Sequence, residues 1–126
     1  MKRVAVTGLG VISPVGNDVA AFWSALCAGT CGIGPITKFD AADYPAKLAA
    51  EVRDFDPRQY MEKLDVMHSD IYTHFAMAAA CQAVADSGIE GTVASERLGV
   101  YLGSGIGGIA TFMTEHSKLL NRGPRR

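Results

Sequence analysis

Three cysteines are the side chains of this chain with the greatest potential for nucleophilic or metal chemistry. Cys27 and Cys31 lie four residues apart, and no nearby histidine or aspartate completes the spacing of a zinc site. An odd number of cysteines does not indicate a disulfide framework. Cys81 lies in an alanine-rich stretch of helical character, so we predict that it is a small buried apolar residue. None of the three has an adjacent base, which argues against a cysteine nucleophile among them.

The histidines and the loop carboxylates do not form a catalytic pattern either. His68 and His74 are six residues apart, which places them on different sides of a helix, and His116 is remote from both. No histidine pair has the i, i+4 spacing of a helical metal site. We expect turn capping rather than acid–base catalysis from the loop carboxylates, which are Asp40, Asp43, Asp54 and Asp56.

A glycine-rich loop is the most distinctive local pattern of the chain. Gly103, Gly105 and Gly108 match the dinucleotide-binding fingerprint, between a predicted strand and a predicted helix. That fingerprint also requires a second strand and an acidic residue about 20 positions further on, and neither follows within the sequence. Glycines at this spacing equally allow the backbone to approach another backbone or a ligand closely. A nucleotide-binding α/β domain is therefore an alternative interpretation of this chain.

Two apolar segments that would position this loop are predicted to be strands of a central sheet. Residues 3–7 are rich in β-branched side chains and end at Gly8, while residues 97–102 lead into the glycine-rich loop. Both segments are largely apolar, as strands covered on both faces are. A further short strand is predicted within residues 47–52.

Helical patterns predict three helices around these strands. The first opens at residues 16–18, with Asn17 as the N-cap, and ends at Gly29. Its apolar face consists of Val19, Phe22, Trp23 and Leu26. The second helix is predicted over residues 60–86, with a stop at Ser87 and Gly88, and the third over residues 109–120. The order strand, helix, helix, strand, helix is typical of an α/β fold.

Composition and charge exclude several classes of protein. The chain has 126 residues, of which 48% are hydrophobic and 20% charged, as expected of one globular domain. A net charge of -1 argues against a nucleic-acid partner. Apolar runs such as residues 75–81 are far shorter than the roughly 20 residues of a membrane span, and Gly8, Gly10 and Pro14 interrupt the region where a signal peptide would be continuously apolar. We expect a cytoplasmic protein with no membrane or nucleic-acid partner.

The predicted strands are too few for a complete sheet. Two or three strands do not make a stable sheet covered on both faces, and residues 123–126 follow a helix where another strand would begin. We therefore expect the sequence to be the front part of a longer protein. We also expect this segment to expose a large apolar surface, because its strands would lack neighbours.

Five motifs in a fixed order carry a family resemblance across essentially the whole chain. They are VAVTGLGVISPVGN at 4–17, GIGPITKFD at 32–40, DSG at 86–88, GSGIGG at 103–108 and NRGPRR at 121–126. Together they resemble the opening of the type II β-ketoacyl-acyl-carrier-protein synthases. The resemblance implies a thiolase-like fold, in which two α/β halves stack as an αβαβα sandwich and the protein is a homodimer. Residues 1–126 would be the N-terminal portion of the family's N-terminal domain, so that fold is incomplete here.

The same resemblance implies a reaction. Members of the family condense malonyl-carrier protein, with loss of carbon dioxide, onto an acyl chain held as a thioester on a cysteine, and two histidines assist. These catalytic residues belong to later segments of the family, and no cysteine or histidine of this chain matches them. The resemblance implies no cofactor and no metal. A non-catalytic partner subunit is a further alternative, because some synthase pairs include a member without the active cysteine.

The supporting residues that the resemblance carries over are few. Ile106, in the glycine-rich loop, matches a residue that lines the acyl pocket. Arg125 and Arg126 match a basic pair that helps to dock the acidic carrier protein, and Lys63 matches another basic docking position. Residues 64–69 depart from the family, which usually has a strongly basic run there. The departure removes positive charge from one carrier-docking patch.

Overall fold

Helices dominate the computed structural model, which describes residues 2–124. In chain order the elements are α1 (Val19–Cys27), β1 (Ile33–Pro35), β2 (Leu48–Ala50), α2 (Lys63–His68), α3 (Ile71–Ser87) and α4 (Ile109–Arg122). Short 3₁₀ helices at Pro57–Gln59 and Ser95–Arg97 complete the set. Within residues 2–124 the sheet consists of the antiparallel pair β1 and β2.

The long helix α3 is the element against which the N-terminal segment packs. Its Ala78 has no exposed surface and is the one hydrophobic residue among 2–124 that is fully buried. A Cβ added at Gly8 would lie 2.7 Å from the Cβ of Ser87, and one added at Gly10 would overlap the α3 backbone. The glycines and the alanine-rich helix therefore allow two backbones to lie in direct contact.

Helix α1 begins one residue later than predicted. Asp18 is the N-cap: its backbone is extended and its carboxylate accepts a hydrogen bond from the Ala21 N–H at 2.8 Å. The prediction of Asn17 as N-cap was wrong, because its side-chain amide instead donates to the carbonyl of Arg53 at 2.8 Å. Gly29 ends the helix with a φ of 67°, as expected of a residue that adopts the left-handed conformation easily.

The hairpin of β1 and β2 confirms the short strand predicted within residues 47–52. Ile33 pairs with Ala50 and Pro35 with Leu48. Directly after β2, the buried Glu51 accepts hydrogen bonds from the Thr37 N–H at 3.1 Å and the Thr37 hydroxyl at 2.6 Å. These bonds lower the pKa of Glu51, because they stabilise its charged form.

The single helix predicted over residues 60–86 is two helices. Ser69 has an extended backbone between them, and its hydroxyl donates to the carbonyl of Asp65 in the first turn of α2. The predicted stop is confirmed, since Gly88 caps α3 with a φ of 59°. Helix α4 starts at Ile109 as predicted and continues two residues further than expected, to Arg122.

The two predicted central strands are absent from the described structure. Residues 3–7 belong to no strand, and residues 97–102 contain only the end of a 3₁₀ helix followed by irregular chain. Val4 is 95% exposed and Tyr101 is 100% exposed. A strand exists only when a neighbouring strand satisfies its backbone groups, and within residues 2–124 neither segment has such a neighbour.

The expected exposed apolar surface is confirmed. Large hydrophobic side chains are exposed along the N-terminal segment, α2, residues 98–102 and α4. Cys81, predicted to be buried, is exposed as well, because no element among residues 2–124 covers that side of α3. None of the described helices combines the length and apolar character that a membrane crossing would require.

Candidate functional site

The glycine-rich loop joins irregular chain to the N-terminus of α4 and presents Ile106. Gly107 has a φ of 73° and lies against the ring of Tyr72, with 3.5 Å between a Cβ placed at 107 and the ring carbons. Gly103 and Gly105 have no neighbouring atom within 4 Å of such a Cβ. Ile106 is 79% exposed. The loop is therefore held at its C-terminal end and open at its N-terminal end, with one large apolar side chain between the two.

A groove lies beside the open end of the loop. Its lining residues are Tyr72, Thr73, Ala76, Met77, Leu102, Gly103 and Ser104, and its volume is about 270 Å³. One wall is the first two turns of α3 and the other is the chain that leads into the loop. Ile106 does not line this groove, so the structure places the predicted acyl-pocket residue next to an apolar groove and not inside it.

The predicted docking residues are only partly described. Lys63 is the first residue of α2 and is exposed, and it takes part in neither of the two ion pairs found within residues 2–124. Arg125 and Arg126 lie outside the described residues. The remainder of α2 exposes apolar side chains, with Leu64 at 68% and Met67 at 66%, where the resemblance implied a basic run.

The cysteines and histidines do not combine into a reactive centre in the described structure. All three cysteines are free and exposed. One ring nitrogen of His74 is 3.2 Å from the carbonyl oxygen of Val66, and His116 stacks on Phe112 with 6.1 Å between ring centroids. Within residues 2–124, no three potential metal-ligating side chains come together. These contacts are structural in character.

Three polar residues at the start of α3 or on it hold neighbouring segments, and two of them, Asp70 and Gln82, lie outside the motifs that the sequence singled out. Gln82 accepts from the Val11 N–H at 3.0 Å and donates to the Asn17 carbonyl at 2.8 Å, and Asp86 accepts from the Leu9 N–H at 2.9 Å. Asp70 accepts from the Thr111 hydroxyl of α4. Gln82 and Asp86 are polar residues in the alanine-rich half of the helix, and that context was the available signal.

The context for the dinucleotide-binding alternative is lacking in the described structure. That fingerprint needs a strand that ends at the first glycine, so that the phosphates lie on the N-terminus of the following helix. Residues 98–102 form no strand, and the carboxylate of Asp70 lies against Gly108 at the start of α4. A negative charge in that position repels a phosphate.

Comparison with known proteins identifies the family. The family model described as "Beta-ketoacyl synthase, N-terminal domain" matches residues 1–125. Proteins named 3-oxoacyl-[acyl-carrier-protein] synthase 2 are similar across 99% of this chain: that of Coxiella burnetii is 47% identical, that of Vibrio cholerae 44% and that of Synechocystis 40%. The chain spans 30% of the length of each of these relatives.

A solved structure supports the same assignment at the level of the fold. The structure titled "The ishigamide ketosynthase/chain length factor" superposes on 94% of this chain, with a TM-score of 0.74 and 30% sequence identity, and this chain covers 30% of it. That agreement confirms the predicted thiolase-like fold, of which the chain is the N-terminal part. This chain belongs to the β-ketoacyl synthase family, through the family's N-terminal domain.

Proposed function

We propose that this chain is the N-terminal segment of a 3-oxoacyl-acyl-carrier-protein synthase that elongates acyl chains in fatty acid biosynthesis. The observation that carries the proposal is the collinear match of the whole chain, at 40–47% identity, to relatives that bear this name. The reaction joins an acyl group to the two carbons that malonyl-carrier protein keeps after it loses carbon dioxide. The products are 3-oxoacyl-carrier protein, carbon dioxide and free carrier protein.

This segment contributes to binding in the proposed enzyme, and the nucleophile and histidines come from elsewhere in the protein. A thiolate would accept the acyl group as a thioester, and two histidines would stabilise the enolate that decarboxylation leaves. No cysteine or histidine among residues 1–126 matches those positions. We assign Ile106 to the acyl pocket. Its exposure of 79% on a loop held at one end leaves the side chain free to contact an acyl chain, and burial of an isoleucine against such a chain contributes about 1.5–3 kcal/mol.

Docking of the acidic carrier protein is assigned to Lys63, Arg125 and Arg126. Lys63 is exposed at the start of α2 and has no acidic partner within residues 2–124, so its charge is available to a carrier phosphate or carboxylate. The exposed apolar side chains that follow, Leu64 and Met67, replace charge with apolar contact area. The carrier contact at α2 should therefore depend less on ionic strength than a fully basic patch would. A homodimer and a cytoplasmic location accompany this proposal.

The test is a hybrid enzyme. Residues 1–126 of this chain replace the matching N-terminal segment of the Coxiella burnetii synthase, to which they are 47% identical. The unaltered Coxiella protein is the positive control, and the 126-residue chain alone is the negative control. We expect the hybrid to release carbon dioxide from malonyl-carrier protein and to form 3-oxoacyl-carrier protein.

Two other results would point to other functions. A hybrid that is folded and dimeric but inactive would contradict the proposal, whereas a full-length protein without the active cysteine would show a non-catalytic partner subunit. The solved structure whose title includes a chain length factor makes that subunit the second candidate. Binding of a dinucleotide to the chain, measured by calorimetry, would support the nucleotide-binding alternative.

A further inference from the structure

Asp70 lies at the start of α3, but its side chain contacts α4. It is the N-cap residue of α3, and its carbonyl accepts from the Thr73 and His74 N–H groups at 2.9 and 3.2 Å. Its side chain makes no capping hydrogen bond to α3. The carboxylate is instead directed at α4, where it accepts from the hydroxyl of Thr111.

Helix α4 needs such a group from outside. Its N-cap is Gly108, which has no side chain, and its first turn contains no acidic residue. The first N–H groups of a helix carry partial positive charge and lack partners within the helix. Asp70 brings a negative charge and a hydrogen-bond acceptor to this end of α4. It lies 41 residues before its partner Thr111 in the sequence.

The same carboxylate sets the path of the glycine-rich loop. A Cβ at position 108 would overlap the Asp70 carboxylate, and Gly107 lies on the ring of Tyr72. Both contacts come from the start of α3: Asp70 is its N-cap and Tyr72 its second residue. The next residue toward the N-terminus is Ile106, which has no comparable restraint on its other side, because Gly105 has no neighbour within 4 Å.

From this geometry we infer that Asp70 is a positioning residue for Ile106, and through it for the acyl-chain-length preference of the enzyme. The inference rests on the proposed function for its second part only. When the carboxylate is removed, the start of α4 loses its acceptor and residues 106–108 lose the group that occupies the space above Gly108. Ile106 is then held less firmly, and discrimination between long and short acyl chains weakens.

The first experiment tests the positioning without any assay of activity. Hydrogen exchange followed by mass spectrometry is measured on the 126-residue chain and on its variants Asp70→Ala, Asp70→Asn and Asp86→Ala. We expect Asp70→Ala to accelerate exchange across residues 106–112 roughly fivefold, because the start of α4 loses a nearby negative charge and the hydrogen bond from the Thr111 hydroxyl. Asparagine keeps an acceptor oxygen and should restore most of the protection. Asp86→Ala is the matched control and should accelerate exchange at residues 8–11 instead. Unchanged exchange at 106–112 in Asp70→Ala would overturn the inference.

The second experiment tests specificity in the hybrid synthase. We expect Asp70→Ala to change the ratio of kcat/KM for long over short acyl-carrier proteins about fivefold, the equivalent of one lost hydrogen bond, with partial rescue by Asp70→Asn. An equal loss at every chain length would overturn the specificity role and leave only a structural one. An inactive hybrid would contradict the proposed function, and the exchange data would then decide the positioning role on their own.

Discussion

The exposed surface of this chain predicts that it associates with itself. A folded monomer of 13.3 kDa is expected to expose about 6,500 Å², whereas this chain exposes 10471 Å². Obligate interfaces bury roughly 2,000–5,000 Å² counted over both partners, which is about 1,000–2,500 Å² on each, so an excess of about 4,000 Å² on one chain is more than a single interface of this kind covers. Much of it belongs to large apolar side chains. We therefore expect the isolated chain to form oligomers and to bind a hydrophobic dye.

A double substitution measures the contribution of one segment to this association. Val100 is 88% exposed and Tyr101 is 100% exposed, and each is replaced by lysine. Burial of one such side chain contributes at least about 1.5 kcal/mol, so the pair accounts for about 3 kcal/mol. That loss corresponds to a roughly hundredfold increase in the dissociation constant of the oligomer. Sedimentation velocity across a concentration series gives the constant directly.

The control adds the same charge at positions that are already polar. Thr114 and Ser117, which are exposed on α4, are replaced by lysine together, and we expect little change in association. If the unaltered chain sediments as a monomer, unfolds cooperatively and does not bind the dye, then the reasoning from exposed area is refuted. Equal weakening by both double substitutions would show that net charge, and not apolar contact, governs the association.

Three further predictions follow from the same structure. The 126-residue chain alone should show no condensing activity with acyl- and malonyl-carrier proteins, because no residue in it matches the nucleophile or the histidines; turnover above the blank would contradict this. In the hybrid, Ile106→Phe should reduce activity on long acyl chains more than on short ones, with a cost of about 1–3 kcal/mol where the ring cannot be accommodated; an equal reduction at all lengths would exclude a pocket role. The pKa of Glu51 is lowered from its usual value of 4.5, so its charged form stabilises the fold above pH 4.5, and this contribution disappears as the pH falls through the folded-state pKa. The urea midpoint of the unaltered chain should therefore fall as the pH is lowered through this range. Glu51→Gln should reduce that fall, and the exposed control Glu115→Gln should keep it.

The helices of this protein were largely predictable from sequence. Helix α3 ends at Gly88 and α4 begins at Ile109, both where the pattern of residues placed them. Helical hydrogen bonds join residues four apart, so the information that specifies a helix lies within the helix itself. The family was predictable for a related reason, since five motifs in one order distinguish it without reference to any contact.

The strands and caps were not predictable to the same degree. Residues 3–7 and 97–102 have the composition of buried strands but lie exposed, because pairing depends on a neighbouring strand and composition alone does not supply one. The choice of Asp18 over Asn17 as the N-cap depended on a distant acceptor, the carbonyl of Arg53, which binds the Asn17 amide. Either residue type is a good N-cap in isolation.

The sequence alone therefore determined the family, most of the helix positions with the glycine ends of α1 and α3, and the residues that match the family's acyl pocket and carrier-docking positions, but it did not reveal the break between α2 and α3. Only the tertiary structure decided what holds those residues in place. Asp70 meets Thr111, and Gln82 meets Val11, across 41 and 71 residues of sequence. Such contacts form because α3 brings distant backbone and side chains together, and no local pattern of residue types encodes which pairs will meet.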